Sequence, residues 1–167
     1  MPMPGEAKQL TQSICNCATI RQVSRHMTQF YDSCLAPYGL TVSQFSILWR
    51  LNRSGPRSIN TLAREMLVDR TTLGRNLRPL EREGLLELAP DATDKRTRSL
   101  TLTPAGIKRA TNAREGWKKA QQRFEHAYGA ERTAQLRNLL HAVVETELDA
   151  GQVQPAQRLK RARSKSR

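Results

Sequence analysis

The segment from Ser58 to Gly106 limits the possible folds of this chain most strongly, because helix, turn, helix and hairpin signals follow one another within it. A short helix is predicted over Ser58 to Met66, where apolar residues recur at the three and four spacing of one helix face. Ser58 is its predicted N-cap, and Asp69 can cap a second helix after a tight turn. This order predicts a winged helix-turn-helix.

The second helix is predicted from Arg70 to Glu83, with its leucines turned inward. Near its start it presents the side chains that a recognition helix offers to a major groove, which are Arg70, Thr71, Thr72, Arg75 and Asn76. Pro79 interrupts the pattern, and a proline inside a helix costs roughly 3 kcal/mol. We therefore expect a kink or a loosened turn between Arg75 and Pro79.

A hairpin is predicted after the second helix. Gly84 ends that helix, Leu85 to Leu88 reads as one strand, and Ser99 to Thr103 reads as the returning strand. Alternation predicts that Leu100 and Leu102 point inward while Ser99 and Thr101 point outward. The loop between the strands carries basic side chains that suit phosphate or minor-groove contact, namely Lys95, Arg96 and Arg98.

These motifs resemble the MarR family of bacterial transcriptional regulators over roughly residues 10 to 150. The family's wing pattern matches Asp94, Arg96, Leu100, Leu102, Thr103 and Gly106, and its upstream pattern matches Leu62-Ala63, Asp69 and residues 80 to 85. The resemblance implies a homodimer in which the first, fifth and sixth helices interleave with those of a second subunit. It also implies that Asp94 pairs with Arg96 to shape the wing.

The predicted fold class is mainly α, with a winged helix-turn-helix core and a small β-hairpin wing. The core is expected at about residues 40 to 103, between dimerisation helices at about 10 to 36 and 104 to 150. Residues 1 to 9 are predicted to be a flexible N-terminus. Residues 151 to 167 hold six basic residues and no acidic one, which predicts a disordered basic tail.

Composition favours a polyanionic partner and a second copy of the chain. The formal net charge is +13, and the 167 residues are only 38% hydrophobic and 5% aromatic, which is modest for a helical monomer. No glycine-rich phosphate loop, zinc-ligand spacing or catalytic cluster is found in the sequence, so we expect neither an enzyme nor a cofactor or metal site. No apolar stretch suits a membrane span, and cytoplasmic, nucleoid-associated localisation in a bacterium is expected.

The expected partners are double-stranded DNA and a second copy of the chain, together with a small-molecule effector. The leading prediction is a repressor that an aromatic or lipophilic ligand releases from a pseudo-palindromic operator. The resemblance suggests an aromatic carboxylate, and the candidate pocket residues are Arg21, Arg25, Tyr38, Trp49 and Trp117. Solvated arginines and ordinary core aromatics are the alternative interpretation of these residues.

A narrower resemblance concerns the organic-peroxide sensors of the same family. Cys17, Arg25 and Tyr31 reproduce the spacing of their reactive cysteine, arginine and activating tyrosine. Val42 departs from the pattern, because those sensors carry a second tyrosine there. Cys17 is therefore an alternative trigger, and a small buried thiol is the other interpretation. A winged helix that coats DNA, or one that binds another protein, is an alternative of a different class.

Overall fold

The structure is a computed structural model that describes residues 15–90 and 98–148. Within these residues the chain forms six α-helices, a short 3-10 turn and three strands. In chain order they are α1 (Asn16–Leu35), the 3-10 turn (Ala36–Tyr38), α2 (Val42–Ser54), β1 (Arg57–Ser58), α3 (Ile59–Glu65), α4 (Arg70–Arg82), β2 (Leu86–Pro90), β3 (Arg98–Leu102), α5 (Pro104–Tyr128) and α6 (Ala130–Glu145). The mainly α winged-helix fold class is confirmed.

Three helices of the winged core have N-caps formed by side chains, and two of these are the predicted caps Ser58 and Asp69. Thr41 and Gln44 make a reciprocal capping box at the start of α2, which satisfies two backbone N–H groups that the helix itself leaves unpaired. The Ser58 hydroxyl accepts from the Thr61 N–H at 3.1 Å. The Asp69 carboxylate accepts from the Thr72 N–H at 2.8 Å. Local side-chain chemistry therefore sets where each of these helices begins.

Leucine side chains from α2, α3, α4 and the sheet form one core in the chain's first compact unit, Met1–Phe124. The inward face of α4 is buried as the pattern predicts, through Leu73, Leu77 and Leu80. Pro79 lies inside α4, which continues as one helix to Arg82. The helix is therefore continuous through the proline. Leu77 and Leu80, before and after Pro79, are both buried in the core.

The wing is a three-stranded antiparallel sheet in the order β1-β3-β2. The short strand β1 was not predicted; it pairs Arg57 with Leu100 and Ser58 with Ser99. The prediction that Ser99 faces outward is wrong, since this residue is only 2% exposed. β3 is the central strand and contacts both α2 and α3, so that side chains on both of its faces are covered.

Thr103, directly before α5, is hydrogen-bonded to the turn between α4 and β2. The Thr103 hydroxyl donates to the Gly84 carbonyl at 2.6 Å and accepts from the Gly106 N–H at 3.1 Å. A Cβ at position 106 would overlap the Leu85 carbonyl. Only glycine therefore allows α5 to leave the wing at this distance.

The helix ends differ from the predicted bounds outside the core. α1 begins at Asn16 with Cys15 as its N-cap, and α6 ends at Glu145. α6 belongs to the second compact unit, Glu125–Arg167, where Arg132 stacks over the Tyr128 ring and Arg137 pairs with Glu125.

Candidate nucleic-acid interface

The outward face of α4 is cationic and open. At about 100° per residue, five positions of α4 fall on one face, and these are Arg70, Thr71, Gly74, Arg75 and Arg78. Apart from the half-buried Gly74, these residues are exposed. No described residue forms a hydrogen bond or an ion pair with any of the three arginine side chains. Their guanidinium groups are thus available to an anionic partner.

Arg78 and Gly74 were not among the predicted site residues. The spacing in the sequence does place them on this face, because Arg78 follows Gly74 by four residues and Arg75 by three. A Cβ added at Gly74 meets no atom within 4 Å. The centre of this face is therefore flat enough for close approach by another molecule.

Two of the predicted base-contacting side chains are held within α4 itself. The Thr72 hydroxyl donates to the Asp69 carboxylate at 2.7 Å, and the Asn76 side-chain amide donates to the Thr72 carbonyl at 3.0 Å. The pKa of the Asp69 carboxyl lies below its usual value, chiefly because the Thr72 hydroxyl donates to it. Thr72 and Asn76 therefore have fewer groups left for DNA than Arg70 and Arg75.

The predicted wing contacts lie mostly outside the described residues. Lys95, Arg96 and the wing-shaping Asp94 fall in the range 91–97, for which no placement is given. Arg98 begins β3, and its guanidinium donates to the Leu88 carbonyl across the hairpin at 2.8 Å. Its exposed side chain is thus held at the loop end of the hairpin.

Comparison with known proteins gives consistent matches. A MarR family model matches residues 38–97. The M. tuberculosis transcriptional regulator MosR, solved in complex with DNA, is 32% identical, with a TM-score of 0.64 over 80% of this chain and 99% of MosR. The transcriptional activatory protein BadR of Rhodopseudomonas palustris is 35% identical over 71 residues, 41% of each protein's length. The transcriptional repressor IacR of Pseudomonas putida is 23% identical over 124 residues, 74% of each.

The chain belongs to the MarR family of transcriptional regulators. This membership agrees with the prediction that the chain is not an enzyme. Within residues 15–90 and 98–148, no group of three potential ligands is placed to hold a metal ion. No helix in this part of the chain combines the length and apolar character that crossing a membrane requires.

The predicted ligand-pocket residues of this MarR family member do not all meet. Trp49 and Trp117 line one cavity of about 440 Å³ together with two α2 arginines, Arg50 and Arg53. The Arg114 guanidinium lies over the Trp49 ring at 5.2 Å. Tyr38 lines a different cavity. Arg21 and Arg25 are exposed on α1 and line neither cavity.

The cysteines occupy different environments. Cys17 is exposed near the start of α1, whereas Cys34 near its end is half-buried. Tyr31 is half-buried and makes an edge-to-face contact with Phe30. Fourteen residues along one helix span about 21 Å, so that Cys17 and Tyr31 of one protomer are far apart. The three cysteines form no disulfide within the structure.

Proposed function

We propose that this chain is a homodimeric repressor that binds a pseudo-palindromic operator and is released from it by a small aromatic or lipophilic ligand. The observation that carries DNA recognition is the open cationic face of α4, whose arginines have no partner among the described residues. A twofold dimer would present two such faces to successive major grooves about one DNA turn apart.

Base readout in this proposal comes from the sequence-predicted edge of α4, with Arg75 as its principal reader. An arginine can make two hydrogen bonds to the O6 and N7 of guanine with a rigid, planar guanidinium, a geometry that a lysine ammonium lacks. Arg70 and Thr71 adjoin it on the same face, while Thr72 and Asn76 make secondary contacts. Lys95, Arg96 and Arg98 are proposed to bind phosphates, with Asp94 shaping the wing around them.

Binding-site selection followed by titration against single-base variants of the selected site tests this assignment. Arg75→Ala should weaken discrimination at one base pair in each half-site by about 1 to 3 kcal/mol. Arg75→Lys is the matched control, since it keeps the charge but not the planar guanidinium. If Arg75→Ala weakens binding to all sequences equally and Arg75→Lys restores it equally, Arg75 contacts phosphate and does not read bases.

The same titration separates a repressor from a module that coats DNA. A sequence-specific regulator prefers its operator over bulk DNA by 10³-fold or more, whereas a coating protein shows no steep preference. Binding to another protein through this face is the remaining alternative. Absence of operator binding at low salt, where phosphate attraction is strongest, would favour that alternative.

The proposed dimer uses the helices outside the core, at about residues 10 to 36 and 104 to 150. α6 and the residues just after it carry a broad apolar face that is exposed in the single chain, and large exposed apolar faces mark interaction sites. Its members are Leu139, Leu140, Val143, Val144 and Leu148. The basic residues 151 to 167 are proposed to add non-specific attraction to phosphates.

The proposed ligand trigger is supported by the cavity at Trp49 and Trp117. Two indole rings and the adjacent arginines suit a flat, acidic compound. Trp117→Ala should weaken ligand-induced release from the operator while leaving DNA affinity unchanged without ligand. Release that persists unchanged in this variant would remove the cavity from the proposal.

Oxidation of Cys17 is the second candidate trigger, and the exposure of its thiol favours access by a peroxide. In a dimer, a tyrosine of the other subunit could approach it, which the family's peroxide sensors require. Cys17→Ser should keep operator affinity but abolish release by organic peroxide, while Cys15→Ser should respond normally. A wild-type complex that survives peroxide with Cys17 still reduced would rule this trigger out.

A further inference from the structure

Arg109 on α5 lies where three separate segments of the chain meet. Its guanidinium donates to the Tyr38 carbonyl, at the end of the 3-10 turn, at 3.2 Å. The same nitrogen lies 3.6 Å from the carboxylate of Glu83, the C-cap residue of α4. A Cβ at Gly39 would lie 3.1 Å from that nitrogen. The missing side chain at position 39 therefore leaves the space that the guanidinium occupies.

The ion pair of Arg109 with Glu83 differs in reach from the other ion pairs of the described residues. Those pairs join partners no more than twelve positions apart, whereas Arg109 and Glu83 are twenty-six positions apart. A pair of near neighbours stabilises its own segment. The Arg109 contact instead relates the end of the recognition helix to α5 and to the turn that follows α1.

A second attachment joins α5 to the same end of α4. The Thr103 hydroxyl donates to the Gly84 carbonyl at 2.6 Å, and Gly106 lies directly against the Leu85 carbonyl. Arg109 follows Thr103 by six residues, which is about 9 Å along a helix. One attachment alone acts as a hinge around which α4 can swing. Two attachments separated along α5 also fix the angle between the helices.

We propose that Arg109 is a positioning residue, which fixes the angle of the recognition helix α4 against α5. In a twofold dimer this angle sets the distance between the two copies of α4, and hence the half-site spacing that the dimer accepts. The effect on spacing rests on the proposed dimeric binding to an operator, whereas the angle within one chain does not. Arg109 contacts no base in this proposal, so base preference within a half-site is independent of it.

The Arg109 contact is suited to set geometry without carrying much of the folding free energy. The Arg109 and Glu83 side chains are 37% and 41% exposed, and exposed ion pairs contribute little to stability. The planar guanidinium nevertheless offers several donors in fixed directions, so that it can hold a carbonyl and a carboxylate at once. A variant that loses the contact should therefore fold normally, while the angle of α4 becomes variable.

Double electron–electron resonance tests the angle without DNA. In the full chain with its three cysteines replaced by serine, spin labels are attached at Arg78→Cys on α4 and Asn112→Cys on α5, two exposed positions. An excess of unlabelled chain keeps each measured pair within one chain. Arg109→Met removes the donors but keeps the apolar stem, and it should broaden the distribution of distances between the labels.

Lys118→Met is the matched control for this measurement. It also removes a cation from α5, but it breaks an ion pair with Glu115 that lies within the helix. The distance distribution of this variant should equal that of the parent chain. An unchanged distribution in Arg109→Met, or an equal broadening in Lys118→Met, would overturn the proposal.

Operator binding measures the consequence for spacing. The half-site bases are kept constant and the spacer is lengthened by one base pair. Arg109→Met should reduce the preference for the original spacing about fivefold, which is at the low end of couplings between sites because the contact is partly exposed. Glu83→Gln should act in the same direction, and the double variant should lose no more than Arg109→Met alone, since both changes break one contact.

Base preference separates positioning from a general weakening of the fold. Single-base variants of the half-site should be discriminated by Arg109→Met as by wild type. An equal loss of spacing preference and base preference would overturn the proposal. The distances between spin labels do not require operator binding, so this proposal and the proposed function fail separately.

Discussion

Leu67 and Gly84 occupy equivalent positions at the ends of two neighbouring helices, yet only one of them is a glycine. Both have positive φ, 52° and 65° respectively. After α3, Val68 N–H donates to the Ala63 carbonyl at 3.0 Å, and after α4, Leu85 N–H donates to the Leu80 carbonyl at 2.9 Å. This is the Schellman arrangement, in which glycine is usual at the left-handed position.

Leu67→Gly should therefore stabilise the protein. A non-glycine residue in the left-handed region costs about 1 to 2 kcal/mol, and Leu67 buries little apolar surface because it is 73% exposed. Part of this gain is offset by the greater freedom of glycine in the unfolded chain, which leaves an expected increase of about 0.5 to 1 kcal/mol in unfolding free energy. Urea unfolding measures it, with Gly84→Leu as the reciprocal variant. A lower stability of Leu67→Gly would contradict the strain argument.

The Asp69 cap predicts a pH-dependent contribution to stability. Its folded pKa lies below the ordinary value of 3.8, mainly because the Thr72 hydroxyl and then the Thr72 N–H donate to the carboxylate. The ionised cap therefore stabilises the fold above that pH, and the stabilisation is lost as the pH falls below 3.8 through the folded pKa. In thermal unfolding, the wild type should have a higher Tm than Asp69→Asn near pH 6, and the difference in Tm should be smaller near pH 3. An equal difference at both pH values would contradict this account.

The packing of α1 against α5 depends on small residues along α5. Ala110, Ala113 and Ala120 are fully buried on its inward side, and Gly116 continues this row beside the Cys34 carbonyl at the end of α1. The small size of these residues affects how closely α5 can approach its neighbours. Two helix backbones can approach each other only where no bulky side chain separates them.

Two glycine-to-alanine substitutions separate this packing from helix propensity. Gly116→Ala should lower the unfolding free energy by about 1 to 3 kcal/mol, because its methyl group has no space. Gly74→Ala, on the open face of α4, should raise it by about 0.8 to 1 kcal/mol through helix propensity alone. Urea unfolding distinguishes them. Equal effects of the two substitutions would show that α1 does not restrict position 116.

At the scale of the whole molecule, the described residues include an apolar helix face that is exposed in the single chain. Leu139 and Val143 lie on one side of α6 and are largely exposed. A dimer that covers this face would remove their surface from water, and the free energy of association would grow with the area covered.

Leu139→Glu should therefore weaken the dimer. Either a carboxylate is buried at the interface, or the interface loses the contacts made at this position. A penalty of about 3 kcal/mol corresponds to roughly a hundredfold higher dissociation constant. Asn138→Glu, on the opposite side of α6, is the matched control and should leave the dimer intact. Sedimentation equilibrium measures both. A monomeric wild type, or an unchanged Leu139→Glu dimer, would contradict the proposed interface.

The sequence by itself determined the features that depend on near neighbours. Thr41, Ser58 and Asp69 cap their helices through residues three positions away, and the leucine spacing of α4 fixed its buried face. The tertiary structure alone decided that β1 pairs with β3, and hence that Ser99 is buried. The paired residues of these two strands lie about forty positions apart in the chain. It also decided that Arg123 meets Cys34 and that Arg109 meets both Tyr38 and Glu83. No local pattern encodes such pairs, since their distance depends on how whole helices pack.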